Sequence, residues 1–92
     1  MLLNQRVTFK AALKKNHAFR VPKIVMGQFK LESSEVLKVT VSVVGLMGVR
    51  ESFLAKIYKD GRILVPALQV ALLKNYAETL KDTALEVTLE PA

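Results

Sequence analysis

The chain has 92 residues, 51% of them hydrophobic, which suffices for one domain with a packed core and leaves no room for a second. It contains no cysteine, which excludes disulfide staples, thiolate metal sites and thiol chemistry and points to a reducing cytoplasm. The net charge is +6, and all of it falls in residues 1–48, where Arg6, Lys10, Lys14, Lys15, Arg20, Lys23, Lys30 and Lys38 face only Glu32 and Glu35; residues 49–92 are neutral.

From the N-terminus, Met1-Leu2-Leu3-Asn4 lacks the apolar run of a secretion signal, and no later stretch is apolar for long enough to span a bilayer. Val7, Phe9, Ala11 and Leu13 alternate with Thr8, Lys10 and Lys14, the period-2 pattern of a half-buried strand. Asn16-His17 reads as a two-residue turn, because Asn tolerates positive φ. Phe19 and Val21 then alternate with Arg20 in a short second strand. Pro22 ends it, since proline cannot donate to a ladder but suits the start of a helix, and residues 23–30 read as that helix. Over residues 36–43, Leu37, Val39, Val41 and Val43 face inward and Lys38, Thr40 and Ser42 outward.

The pattern then repeats. Gly45-Leu46-Met47-Gly48 is a linker too short to separate domains. Phe53, Ala55 and Ile57 alternate with Leu54, Lys56 and Tyr58, and Asp60-Gly61 signals a type I′ hairpin. Ile63 and Val65 lead to Pro66 and a helix reaching about Leu80, with Leu68, Leu72, Tyr76 and Leu80 recurring every four residues. Leu85, Val87 and Leu89 form the inward face of a last strand.

Laying residues 9–31 over 53–75 makes the duplication explicit. Phe9/Phe53, Ala11/Ala55, Lys15/Lys59, Val21/Val65, Pro22/Pro66 and Lys30/Lys74 are identical, and Leu13/Ile57, Asn16/Asp60, Phe19/Ile63 and Ile24/Leu68 are conservative. After a four-residue insertion, Leu37-Lys38-Val39-Thr40 falls on Leu85-Glu86-Val87-Thr88. The chain is therefore expected to be a single domain of two strand–strand–helix–strand repeats, about 5–44 and 49–90. Neither repeat buries its apolar face alone, so the expectation is a mainly β, six-stranded closed barrel with pseudo-twofold symmetry and helices plugging its ends.

The run Lys59-Asp60-Gly61-Arg62-Ile63-Leu64-Val65-Pro66 resembles the hairpin-to-helix signature of AbrB-type swapped-hairpin proteins, and Lys15-Asn16-His17-Ala18-Phe19-Arg20-Val21-Pro22 resembles it more loosely. Leu31-Glu32-Ser33-Ser34-Glu35-Val36-Leu37-Lys38-Val39 has the spacing of the element that follows the helix in that family, with Ser34-Glu35 in place of Gly-Asp; Asp82-Thr83 holds the same place in the second copy. The resemblance is to the cradle-loop barrel superfamily, most closely to small archaeal hypothetical proteins of the RIFT-barrel type. It implies a monomer in which one chain supplies both halves. Such barrels serve translation factors, rotary ATPases and flavin enzymes, so the resemblance licenses no function.

Catalytic signals are sparse. His17 is the single histidine and sits at a turn, without a carboxylate near it in sequence; no phosphate loop or nucleophile motif appears, and no ligand set for a metal. Glu32 and Glu35 beside Ser33 and Ser34 read as a polar turn. The expectation is a non-enzyme with no cofactor. The basic set of Lys10, Lys14, Lys15, Arg20, Lys23 and Lys38 is the constellation with a role to play, as a surface that neutralises phosphates. Three readings follow: a nucleic-acid-binding, AbrB-like regulatory module; a protein-interaction module presenting Leu54, Tyr58 and Leu64; and a barrel that binds a nucleotide- or flavin-like small molecule in a polar groove.

Overall fold

The computed structural model describes residues 4–14, 16–45, 49–74 and 84–92. Among them are β1 (Val7–Ala12), β2 (Ala18–Arg20), α1 (Lys23–Gln28), β3 (Val36–Val43), β4 (Arg50–Lys56), β5 (Arg62–Leu64), α2 (Ala67–Lys74) and β6 (Ala84–Pro91), in the order the duplication implies. Lys15, positions 46–48 of the linker, the helix continuation through Tyr76 to Leu80, and the Asp82-Thr83 turn lie outside the described residues.

The fold is mainly β, but the strands do not close into a barrel. They form an open four-stranded antiparallel sheet, ordered β1-β6-β3-β4, and a separate two-stranded ribbon of β2 and β5. The physical reason lies at the two strand corners. Pro22 and Pro66 stop β2 and β5 after three residues, leaving each ladder long enough only for its mate in the ribbon. One turn, closed by Lys14 N–H to the Ala18 carbonyl at 2.8 Å, leads from β1 into β2; its counterpart, Tyr58 N–H to the Arg62 carbonyl at 2.9 Å, leads from β4 into β5.

The register carries the duplication into three dimensions. At the centre of the β3–β6 ladder Thr40 pairs with Thr88, and at the centre of the ribbon Phe19 pairs with Ile63. Each of these residues thus pairs with its own counterpart in the other repeat, so a pseudo-twofold axis passes through both ladders. Phe9 lies opposite Val87 in β1–β6, and the equivalent Phe53 lies opposite Val39 in β3–β4. All four are buried. The outer face repeats the pattern: Thr8 Oγ1 lies 3.2 Å from Thr88 Oγ1, and Thr40 Oγ1 lies 2.9 Å from Ser52 Oγ.

Alternation fills one continuous core. The inward faces of β1, β3, β4 and β6 meet Phe19 and Ile63 of the ribbon and Val70 and Leu73 of α2. Phe9 and Phe19 join sheet to ribbon with ring centroids 6.3 Å apart, at a tilt of 53°. In α2 the buried residues are Val70 and Leu73, and Leu68 is 65% exposed, so the four-residue spacing from Leu68 marks the wrong face. Helix α1 buries no residue fully and ends at Gln28 rather than Lys30. Its end is a Schellman cap: Leu31 N–H reaches the Met26 carbonyl at 3.0 Å and Lys30 N–H the Gly27 carbonyl at 3.4 Å, with Lys30 left-handed at φ 52°.

The turns also differ from expectation. At 58–61, Gly61 N–H bonds the Tyr58 carbonyl, and Gly61 has φ 82° while Asp60 keeps negative φ. This is a type I turn followed by a glycine bulge, not a type I′ turn. Positive φ, not crowding, selects glycine here, since a Cβ at Gly61 would make an ordinary contact with the Val21 carbonyl at 3.4 Å. In the first copy His17, not Asn16, takes the left-handed conformation, at φ 60°.

Candidate functional site

The ribbon places the most concentrated charge. Phe19 and Ile63 turn inward, so their neighbours Arg20 and Arg62 turn outward, and the ladder sets these two arginines directly opposite each other. The counterparts of Arg20 and Arg62 in the other repeat are Leu64 and Ala18, which pair at the far end of the ribbon. The fold is symmetric here, but the charge is not.

Asp60 stands beside the arginine pair. Its Oδ1 accepts the Arg62 N–H at 3.2 Å, the local bond by which an aspartate shapes a turn. Its Oδ2 accepts from Arg20 Nη2 at 3.3 Å, and Arg62 Nε lies 3.9 Å from Oδ1. Desolvation by its neighbours pushes the exposed Asp60 carboxyl up, but the Arg62 backbone N–H bond and the charges of Arg62 and Arg20 together outweigh it and hold it below its ordinary value. The Tyr58 ring packs against the Arg62 guanidinium with Cζ 5.2 Å from the ring centroid, and Lys56 Nζ lies 5.5 Å from the same centroid. Arg62 Nε is buried and has no hydrogen-bond acceptor among the described residues.

Two shallow depressions flank this group. One, of about 260 Å³, is lined by Lys14, Asn16, Ala18, Phe19, Arg20 and Arg62. The other, of about 240 Å³, is lined by Val21, Lys23, Met26, Lys59, Asp60 and Gly61. Val21 N–H bonds the Gly61 carbonyl at 2.9 Å, which brings the start of α1 against the 58–61 turn and so sets Lys23 beside Lys59. Both depressions fall below the roughly 300–1,000 Å³ of ordinary small-molecule pockets.

The basic residues singled out from the sequence divide accordingly. Lys14, Arg20 and Lys23 are brought together around the ribbon. Lys10 and Lys38 lie on the outer face of the four-stranded sheet, where the register sets Lys10 opposite Glu86 and Lys38 opposite Glu90. Arg6 pairs with Glu90 on the same face at 3.3 Å, so that face is mixed in sign. Arg62, Lys59 and Asp60 come from the neutral half of the chain and stand outside the basic set drawn from the sequence, although Arg62, like Arg20, reads there as an outward-facing arginine. Their signal was present in the repeat: two equivalent short strands that pair across the pseudo-axis bring Arg20 to Arg62.

Other candidates are placed apart. Leu54 is exposed on the sheet and Leu64 on the ribbon, while Tyr58 is half-buried against Arg62 and Lys56. His17 contributes its carbonyl to Val65 N–H at 3.0 Å. Glu35 is buried and caps its own turn, accepting the Glu32 N–H through Oε1 at 3.2 Å. No three of His, Asp and Glu gather into a metal-binding group among the described residues, and no helix there is long and apolar enough to cross a membrane.

No protein-family model and no curated protein matches the chain. A solved structure does: the solution structure of PHS018 from Pyrococcus horikoshii superposes with a TM-score of 0.69 at 14% identity, over 99% of this chain and 92% of that one. The two proteins share a fold. That agrees with the expected likeness to small archaeal proteins, and at this identity it speaks for architecture alone.

Proposed function

We propose that this domain is a non-catalytic nucleic-acid-binding module that grips backbone phosphates with the β2–β5 ribbon and its two flanking turns. The observation that supports the reading is the placing of Lys14, Arg20 and Arg62 along one depression and of Lys23 and Lys59 along the other, the two joined through the contacts of Asp60 with the arginines, with contributions from both repeats. Arginines in particular suit phosphate, because the guanidinium fork matches two of its oxygens.

Duplex backbone fits this surface better than single strands do. Stacking unpaired bases needs exposed aromatic faces. Phe9, Phe19 and Phe53 are buried, Phe29 is half-buried, and the Tyr58 ring already meets Arg62 and Lys56. The test is a fluorescence-anisotropy titration of labelled duplex DNA and of single-stranded RNA at low salt. Duplex binding that weakens with salt is expected. Absence of binding up to roughly 100 μM, the weak end of the non-specific range, refutes the reading.

A further inference from the structure

Arg20 and Arg62 lie directly opposite each other on paired strands, an arrangement in which like charges repel. Asp60 relieves that repulsion incompletely. It touches Arg20 through a single Nη2 contact at 3.3 Å, and its 3.9 Å separation from Arg62 Nε is too long for a hydrogen bond. Neither guanidinium fork is engaged by two carboxylate oxygens. Arg62 Nε keeps a donor with no acceptor among the described residues although it is shielded from solvent, and the Tyr58 ring packs against the guanidinium. A buried donor without a partner is unfavourable, and a packed guanidinium loses little freedom when an anion arrives. The depression lined by Lys14, Asn16, Arg20 and Arg62 leaves room for that anion next to both forks.

We propose that the Arg20–Arg62 pair is a binding site for one phosphate group, and that Asp60 is its resting counter-ion, giving up the two arginines when a phosphodiester docks. That the phosphate belongs to a nucleic acid rests on the reading above; the site itself does not. Asp60 remains tied to the Arg62 backbone N–H throughout, so release requires movement of the arginine forks and not of the turn. Asp60 therefore lowers the affinity of the site it helps to order: the internal carboxylate and the incoming phosphate compete for the same donors.

The variant Asp60→Asn keeps an oxygen to accept the Arg62 N–H but loses the charge, and Asp60→Ser serves the same purpose if the amide variant folds poorly. Inorganic phosphate is titrated into each protein while the Arg20 and Arg62 side-chain N–H resonances are followed by NMR. The dissociation constant for phosphate should fall about two- to fivefold on loss of the Asp60 charge, the effect expected of an exposed ion pair. Arg20→Gln and Arg62→Gln should each weaken phosphate binding. Equal or weaker phosphate binding by both Asp60 variants overturns the proposal, as does a response confined to residues outside the pair. A parallel duplex DNA titration separates the two ideas. Tighter phosphate binding without any duplex binding leaves the site standing and removes the nucleic-acid reading. Salt-dependent duplex binding with an unchanged phosphate response does the reverse.

Discussion

The double substitution Arg20→Gln/Arg62→Gln tests the nucleic-acid reading most sharply, because the structure sets its size. Five cations, Lys14, Arg20, Lys23, Lys59 and Arg62, line the two depressions, and Asp60 offsets one of them. About four phosphates are then neutralised in the complex, so log affinity should fall against log salt with a slope of about −3.6. Between about 50 and about 200 mM salt the wild-type protein should lose roughly 150-fold in affinity. Removing both arginines leaves three lysines against Asp60, an effective two charges, and the slope should flatten to about −1.8, a loss of roughly 12-fold over the same range. Lys10→Gln/Lys38→Gln is the matched control. It removes the same formal charge, but from a face where Glu86 and Glu90 already stand opposite, and it should leave the slope nearly unchanged. Anisotropy titrations of one duplex at four or five salt concentrations yield all three slopes. Equal flattening by the two double variants would show that the protein responds to total charge alone, and the assignment of the site to the ribbon would be refuted.

Three further outcomes follow from the packing and the turns. Phe53→Ala should cost about 3–5 kcal/mol in chemical denaturation, because the ring is buried opposite Val39; a loss below 1 kcal/mol would mean the ring is not in the core. Lys30→Gly should raise stability by about 0.5–1 kcal/mol, since glycine takes the left-handed conformation of the α1 cap without strain, and duplex affinity should not change. By carbon-detected NMR, Asp60 should titrate below 3.8, and its midpoint should rise in Arg20→Gln. A lowered carboxyl pKa adds stability above 3.8 that disappears as pH falls through the folded midpoint, and a midpoint at or above 3.8 would contradict the arginine contacts.

The strands were legible because their alternation is strict. Leu37, Val39, Val41 and Val43 are buried as their spacing requires, and so are Leu85, Val87 and Leu89. The six strands and two helices among the described residues, and their order, follow from the same patterns together with Pro22 and Pro66. Sheet closure was not legible, because alternation reports which face of a strand is buried and not which edge is paired. The basic site was half legible. Lys14, Arg20 and Lys23 stood out in the charged first half, but Arg62 meets Arg20 only through a ladder between strands far apart in sequence. Charge counting by halves hid that partner, since Arg62 and Lys59 sit in a segment whose sum is zero. Leu68 misled for a different reason: over residues 67–74 a four-residue spacing fits two faces, and contact with the core through Val70 and Leu73 decides between them.

The order of the four-stranded sheet has a consequence for synthesis. Strand β6 comes last among the described strands, yet it lies in the interior of the sheet, pairing with β1 on one side and β3 on the other. Val7 pairs with Leu89 and Val43 with Leu85, so β1 has no neighbour in the sheet until Ala84–Pro91 has left the ribosome. Until then the nascent chain holds only the β3–β4 ladder of its main sheet, with the apolar faces of two repeats waiting for one strand. Closing such distant pairings is slow, and a chain held at that stage exposes strand edges to its neighbours. A ribosome stalled before Ala84 should therefore present a protease-sensitive chain, and lengthening the chain until Ala84–Pro91 has emerged should convert it to a resistant one in a single step.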